Sequence, residues 1–326
     1  MIISRTPLRV SFFGGGSDLS AHYRRDGGAV LSTAIDKSVY VTVSRKFDEA
    51  VRVSYSRTEE VEHASQVQHP LVREALAMLG IEGGVEITSV ADIPARGTGL
   101  GSSSSFTVGL LNALHAHLGR PVGAEQLASE ACHVEIERCG EPIGKQDQYA
   151  AAYGGFNFMR FHSDETVEVK KVICSGGVLS DLQERLLFFY TGTTRSASAL
   201  LEEQSAALAT PGATSHATGE LADIAQTAFD AVCKGDTSEF GSLLHAAWQF
   251  KRKINSGVTN AAIEAAYDAA MTAGAEGGKV LGAGGGGFLM FIAPPQRHVA
   301  IRQALCDLRE TPFRFAPQGS SIIFVH

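Results

Sequence analysis

Apolar and polar positions alternate through the first sixty residues. Leu8-Arg-Val-Ser-Phe-Phe13, Ala29-Val-Leu31, Ser38-Val-Tyr-Val-Thr-Val-Ser44 and Val51-Arg-Val-Ser-Tyr55 put every second side chain on one face, the period of half-buried strands. The period then lengthens to that of a helix over 70–80, between Pro70, a good first-turn residue, and Gly80. A strand over 85–90 follows, then helices over about 103–118 and 124–138. The second of these starts after Gly123 and carries Glu130, His133, Glu135 and Glu137 on its later turns. Strands over about 155–161 and 167–173 close a first half. An apolar strand ending at Tyr190 opens the second half, which is mostly helical from 196 to 274 and is broken at Pro211-Gly212 and Gly257. A strand over 287–293, a helix over 296–309 and a strand over 321–325 complete the pattern. Strands and helices mixed in this way over a chain of 326 residues give an α/β (α+β) class with two domains, 1–175 and 176–326. The chain has no internal repeat and no low-complexity tail, so its function must rest on specific sites.

Composition removes several classes of partner. With 28 Lys and Arg against 35 Asp and Glu the net charge is −7, which gives no general affinity for nucleic acid or for a membrane surface. No apolar run reaches membrane-spanning length, and the amino terminus runs straight into Gly14-Gly15-Gly16 without the pattern of a signal peptide. Cys132, Cys139, Cys174, Cys233 and Cys306 are odd in number and lack paired C-x-x-C spacing, which suits reduced thiols in a cytoplasmic protein.

The run Pro94-Ala-Arg-Gly-Thr-Gly-Leu-Gly-Ser-Ser-Ser-Ser105 lies between a strand and a helix and has the make-up of a phosphate cradle. Its glycines allow tight turns and close backbone approach, and its serines open a helix whose free N–H groups and dipole favour an anion. It is not a Walker loop, because no lysine follows Gly101. It is a poor dinucleotide fingerprint, because Ser102 stands where a third glycine belongs.

Two more segments complete a pattern: Pro7-Leu-Arg-Val-Ser-Phe-Phe-Gly-Gly-Gly-Ser-Asp18 before the cradle and Leu281-Gly-Ala-Gly-Gly-Gly-Gly-Phe288 near the carboxyl end. In this order the three motifs resemble the GHMP kinases, a family of small-molecule kinases, over essentially the whole chain. The resemblance implies a ribosomal-protein-S5-like amino-terminal domain and a ferredoxin-like carboxyl-terminal domain, with ATP and the acceptor between them. It implies that Gly97, Thr98, Gly99, Leu100, Gly101, Ser102, Ser103 and Ser104 wrap the triphosphate. It implies also that Ser103 and Glu135 hold Mg²⁺, with Glu137 the fallback ligand and Glu130 on a solvated face. Asp147, in Gly140-Glu-Pro-Ile-Gly-Lys-Gln-Asp147, is the implied catalytic base, and Arg9 the permanent cation at the reacting oxygen. Asp18, with Gly15 and Gly16, matches the position that binds acceptor hydroxyls, and Gly284 and Gly285 would bring backbone against the site. The histidines have no H-E-x-x-H spacing, so no other catalytic metal is indicated, and Trp248 reads as helix core.

Four stretches narrow the resemblance: the first motif, Gln68-His-Pro-Leu-Val-Arg73, Tyr190-Thr-Gly-Thr-Thr-Arg-Ser-Ala197 and Trp248-Gln-Phe-Lys-Arg252. They are similar to the bacterial D-glycero-α-D-manno-heptose 7-phosphate kinases, which phosphorylate the anomeric hydroxyl to give a 1,7-bisphosphate for GDP-heptose assembly. An acceptor that is a small-molecule sugar phosphate needs cations of its own, and Arg195, Lys145, Arg24 and Arg25 are the candidates, Arg195 first. Two alternatives stay open: another sugar 1-kinase of L-fucose or galactose type, and a non-catalytic protein that binds sugar or nucleotide as a regulator.

Overall fold

The computed structural model describes residues 1–93, 97–175, 177–193, 197–210 and 212–326. The first half runs β1 (Ile2–Phe13), α1 (Ser20–Asp26), β2 (Gly28–Arg45), β3 (Val51–Ser54), β4 (Thr58–Val61), α2 (Pro70–Leu79) and β5 (Val85–Ala91). It continues with α3 (Ser102–His117), α4 (Ala124–Cys132), α5 (Gln146–Tyr153), β6 (Phe156–Phe161) and β7 (Val167–Lys171). The second half holds α6 (Val178–Glu184), β8 (Leu186–Tyr190), α7 (Ala197–Leu208), α8 (Ala213–Cys233), α9 (Phe240–Ile254) and α10 (Ala261–Thr272). Then come β9 (Gly277–Val280), β10 (Phe288–Ile292), α11 (His298–Ala304), β11 (Arg309–Glu310) and β12 (Ser321–Val325).

Two sheets organise these elements. The larger has eight strands in the order β12-β1-β2-β5-β3-β4, with β6 and β7 continuing from the first part of β2; the smaller is antiparallel, in the order β11-β8-β10-β9. Strand β2 is a single strand of 18 residues where the sequence pattern shows two short ones. Its alternation breaks at Asp36 and Lys37, where it changes partner, pairing β6 through Gly28–Thr33 and β5 through Val39–Arg45. Strand β4 escapes the hydrophobic pattern because Thr58-Glu-Glu-Val61 is a polar edge. The helix expected over 124–138 is regular only to Cys132, after which His133–Arg138 widens into a π-helix.

The last strand belongs with the first. β12 lies within the segment 176–326 in sequence but pairs antiparallel with β1, covering an edge that would otherwise present unpaired backbone groups. Ile35 and Phe315 form a further bridge between the two ends of the chain. One large apolar core fills the space beneath both sheets, and a smaller one gathers Trp248, Tyr267 and Phe291 under the second. Trp248 is core, as its place on a helix suggested.

Candidate active site

The β1–β2 register shifts between Pro7 and Arg9 and again between Ser11 and Phe13. Such irregularities bend a strand and re-aim its side chains. Here the Arg9 N–H leaves the β2 ladder and donates to the Leu100 carbonyl of the glycine-serine loop (3.0 Å). The Arg9 side chain is buried and makes three bonds: Nε to Asp147 Oδ1 (2.7 Å), Nη2 to Asp147 Oδ2 (2.8 Å) and Nη1 to the Gly99 carbonyl (2.6 Å). A two-pronged pair of this kind fixes both planes. Asp147 sits in the first turn of α5 with about a quarter of its side chain open to solvent.

The loop reaches α3 through Gly101, which has φ +74° and leaves the helix without a side-chain cap. Unspent N–H groups at a helix end of this kind can take up an anion. A Cβ on Gly101 would press within 3.2–3.4 Å of Arg9 Cγ and the Asp147 carboxylate, and one on Gly99 would overlap the Leu281 carbonyl. The third glycine motif therefore does support the loop, through Gly282 against Gly99 and Gly287 against the Thr98 carbonyl. Gly284 and Gly285, the pair expected to face the site, instead pack on Val258, to whose carbonyl the Gly285 N–H donates (2.7 Å). Thr98, Leu100, Ser102 and Ser104 are buried, Ser103 is exposed, and the Ser102 hydroxyl is buried without a partner. Pro94, Ala95 and Arg96 lie outside the described residues.

Glu135 projects from the π-helix beneath this loop and is 1% exposed. It accepts hydrogen bonds from Ser103 Oγ (3.1 Å), Ser104 Oγ (2.7 Å), Thr107 Oγ1 (3.0 Å) and Gln148 Nε2 (2.5 Å). All four donors are neutral. Burial pushes its pKa up to about 7 against the pull of those bonds. A carboxylate and a serine oxygen 3.1 Å apart fit adjacent positions around Mg²⁺, whose octahedral shell has bonds of about 2.1 Å and hence oxygen edges of about 3 Å. Among the described residues no three His, Cys, Asp or Glu side chains gather as a metal cluster, so further ligands would come from phosphate and water. Glu130 pairs with His115 (2.6 Å) and Glu137 with His133 (2.8 Å), both turned to other partners.

Asp18 is buried beside the loop that leads to Asp147. It accepts from the N–H groups of Gly16 (2.9 Å) and Gln146 (3.1 Å) and from Gln146 Nε2 (2.9 Å). Burial raises its pKa, the backbone bonds oppose this, and the Asp147 charge adds to the rise. Gly144 leaves the room Asp18 needs, since a Cβ there would collide with the carboxylate. Gly15 contacts Gln146, and Gly16, at φ +100°, faces Gln204 of α7.

Three of the four phosphate-anchor candidates are already paired. Lys145 Nζ and Arg24 Nε both meet the Glu165 carboxylate at 2.5 Å, the Tyr23 hydroxyl donates to it (2.6 Å), and these donors, Lys145 foremost, hold its pKa down at about 2 in spite of burial. Arg25 turns away to Asp26 (2.7 Å). Arg195 lies outside the described residues.

Sequence reading missed Gln148 and Thr107, which hold Glu135, Gln146, which holds Asp18, and two lysines. Lys279 sits on the wholly buried strand β9 and donates to the carbonyls of Ser11 (3.1 Å) and Phe12 (3.0 Å). Lys251, near the end of α9, donates to the Gly282 carbonyl. A lone lysine inside Gly277-Gly-Lys-Val280 was the available signal, since unpaired charge is rare in a buried strand.

Comparison with known proteins agrees with this geometry. The description "GHMP kinases N terminal domain" matches residues 64–155, and "GHMP kinases C terminal" matches residues 228–309. The D-glycero-alpha-D-manno-heptose 7-phosphate kinase of Campylobacter jejuni is 29% identical over 335 residues, covering 93% of each chain. The L-fucokinase/L-fucose-1-P guanylyltransferase of Bacteroides fragilis is 25% identical over 96% of this chain and 37% of its own. Among solved structures, a D-glycero-D-manno-heptose 1-phosphate kinase from Bacteroides thetaiotaomicron superimposes over all of both chains with a TM-score of 0.81 at 27% identity.

Proposed function

This chain belongs to the GHMP kinases, and we propose that it transfers the γ-phosphoryl group of ATP to the anomeric hydroxyl of D-glycero-α-D-manno-heptose 7-phosphate, giving the 1,7-bisphosphate used toward GDP-heptose. The observation that carries the reading is the Arg9–Asp147 pair held between an uncapped helix end and the buried Asp18. Those three features are a reacting centre, a seat for phosphates and a seat for sugar hydroxyls. The narrowing to a heptose phosphate is supported by the Campylobacter and Bacteroides kinases, whose names share a heptose phosphate and differ in the carbon that carries it.

In this reading the acceptor oxygen lies against Asp147 while Asp18 and Gln146 hold neighbouring hydroxyls. The oxygen attacks the γ-phosphorus, the bond from that phosphorus to the ADP oxygen breaks, and the hydroxyl proton passes to Asp147. Asp147 is held in one orientation by its two bonds from Arg9. That suits a loose phosphoryl-transfer transition state, in which the proton moves late and positioning does most of the work. Arg9 holds Asp147 in place and adds positive charge near the transferring group. Ser103 and Glu135 would hold Mg²⁺, which neutralises phosphate charge when bound. Lys145 and Arg24 reach the sugar's own phosphate only by leaving Glu165, which places more weight on Arg195.

The test is ADP formation with ATP, Mg²⁺ and matched acceptors. Heptose 7-phosphate should exceed the unphosphorylated heptose in kcat/KM by at least about tenfold, because remote phosphate binding positions the anomeric oxygen. Equal use of the two, or preference for free L-fucose or galactose, would overturn the acceptor assignment and favour the fucose-type reading that the Bacteroides fragilis relative supports.

A further inference from the structure

Lys279 and Lys251 both lie near the cleft, but they have committed their donors unequally. Lys279 bonds two carbonyls of β1 and so pins β9 beneath the reacting strand. Lys251 bonds a single carbonyl, that of Gly282, and among the described residues no carboxylate pairs with it. An ammonium has three N–H donors, so two remain. Gly282 rests directly on Gly99 of the phosphate loop, and the Gly99 carbonyl also takes Nη1 of Arg9. Arg9 from β1 therefore bears on Gly99 of the cradle directly, and Lys251 from α9 bears on it through Gly282. Desolvation and the nearby Arg9 charge lower the Lys251 pKa to about 8, so this cation is held at a cost that nothing nearby offsets. The missing partner is an anion. The loop beneath it is built for phosphate.

We propose that Lys251 is a further catalytic residue, bonding the outermost phosphoryl group of the bound nucleotide across the cleft from Arg9. The proposal rests on the phosphoryl-transfer reading above. It assigns the terminal phosphate to a residue of the second half of the chain, while the α3 amino-terminal N–H groups serve the inner phosphates. The rival is a tie that merely holds Gly282 and the loop in place.

Two substitutions separate these readings. Lys251→Met removes charge and donor; Lys251→Gln removes the charge and keeps an N–H that can reach the Gly282 carbonyl. Binding of ADP and of a non-hydrolysable ATP analogue is measured by titration without acceptor, with Trp248 emission and thermal unfolding as checks of the fold. The wild type should prefer the triphosphate analogue, and both variants should lose about tenfold of that preference while binding ADP almost as before. With acceptor present, kcat should fall about 10²–10³-fold in both. Should Lys251→Met fail to fold, Lys251→Gln carries the test alone. Unchanged preference and turnover in Lys251→Gln, or equal loss of ADP and analogue binding, would overturn the proposal. A wild type that discriminates triphosphate from diphosphate yet forms no ADP with any sugar would instead overturn the proposed function, because the binding ratio needs no acceptor.

Discussion

Asp147 meets a guanidinium that spans both of its oxygens, whereas Glu135, beneath the same loop, meets three hydroxyls and an amide and no cation. Both are carboxylates of one cleft, and both are fully engaged in hydrogen bonds. The difference is in charge. Asp147 is compensated by the protein itself, through the two bonds from Arg9, before any ligand arrives. Glu135 is satisfied in hydrogen bonding but not in charge, so near neutrality it keeps a proton until a cation takes that proton's place. Lys251 is the mirror case, a cation with no carboxylate partner among the described residues. Among those residues the cleft therefore carries a buried carboxyl without a cation at one point and a cation without an anion at another, and a metal–triphosphate complex would balance both.

The strongest way to break the comparison is at Asp147. Asp147→Asn keeps the shape but removes the negative charge and one of the two bonds from Arg9, because its amide nitrogen donates. It should lower kcat by about two to four orders of magnitude with ATP binding retained. Near-wild-type turnover would show that self-compensated charge there is structural.

Glu135 gives the next largest effect, on stability. Its folded pKa of about 7 lies above the unfolded value of about 4.5, so between those pH values the folded chain binds more protons than the unfolded one. Stability without metal should fall as pH rises from about 4.5 through 7, by on the order of 3 kcal/mol in total. Denaturant titrations across that window should show the slope in wild type and lose it in Glu135→Gln. A slope that survives the substitution would mean that Glu135 is not the group responsible.

The smallest effect sharpens the same contrast. Ser103→Ala removes the most weakly placed of the four donors, and it should raise the magnesium concentration for half-maximal activity several-fold. Combined with Glu135→Gln the change should be less than additive, since both act on one ion. Strictly additive effects would place the two side chains on separate sites.

The sequence makes the cradle, Asp147, Arg9 and Glu135 legible because each sits in a local motif whose order and spacing survive in one dimension. The strand and helix periods likewise reveal most elements, since burial on one face leaves a periodic trace. What escapes is what depends on crossing the chain. Gln148 and Thr107 matter because α5 and α3 both face the π-helix, and no spacing announces that. Lys251 lies inside a stretch that stands out, yet its importance comes from Gly282 and Gly99, far away in sequence. Glu165, an ordinary turn carboxylate by pattern, turns out to occupy two of the cations assigned to a sugar phosphate. The place of Gly284 and Gly285 escapes for the same reason: along the glycine-rich third motif only packing tells the residues apart, Gly282 on Gly99, Gly284 on Val258, Gly286 on Thr193 and Gly287 on Thr98.

The pairing of β12 with β1 bears on how the protein comes into being. A chain emerging from the ribosome presents Arg9 and the cradle early, but the strand that seals the edge of β1 is made only after β1 to β11. Until then the reacting strand has an open flank, and the closure must bridge most of the chain's length. Contacts of such long range slow folding and leave intermediates prone to pairing with other chains. Loss of residues 314–326 would therefore act at a distance, exposing β1 at the very strand that carries Arg9, even though none of the removed residues touches the proposed chemistry.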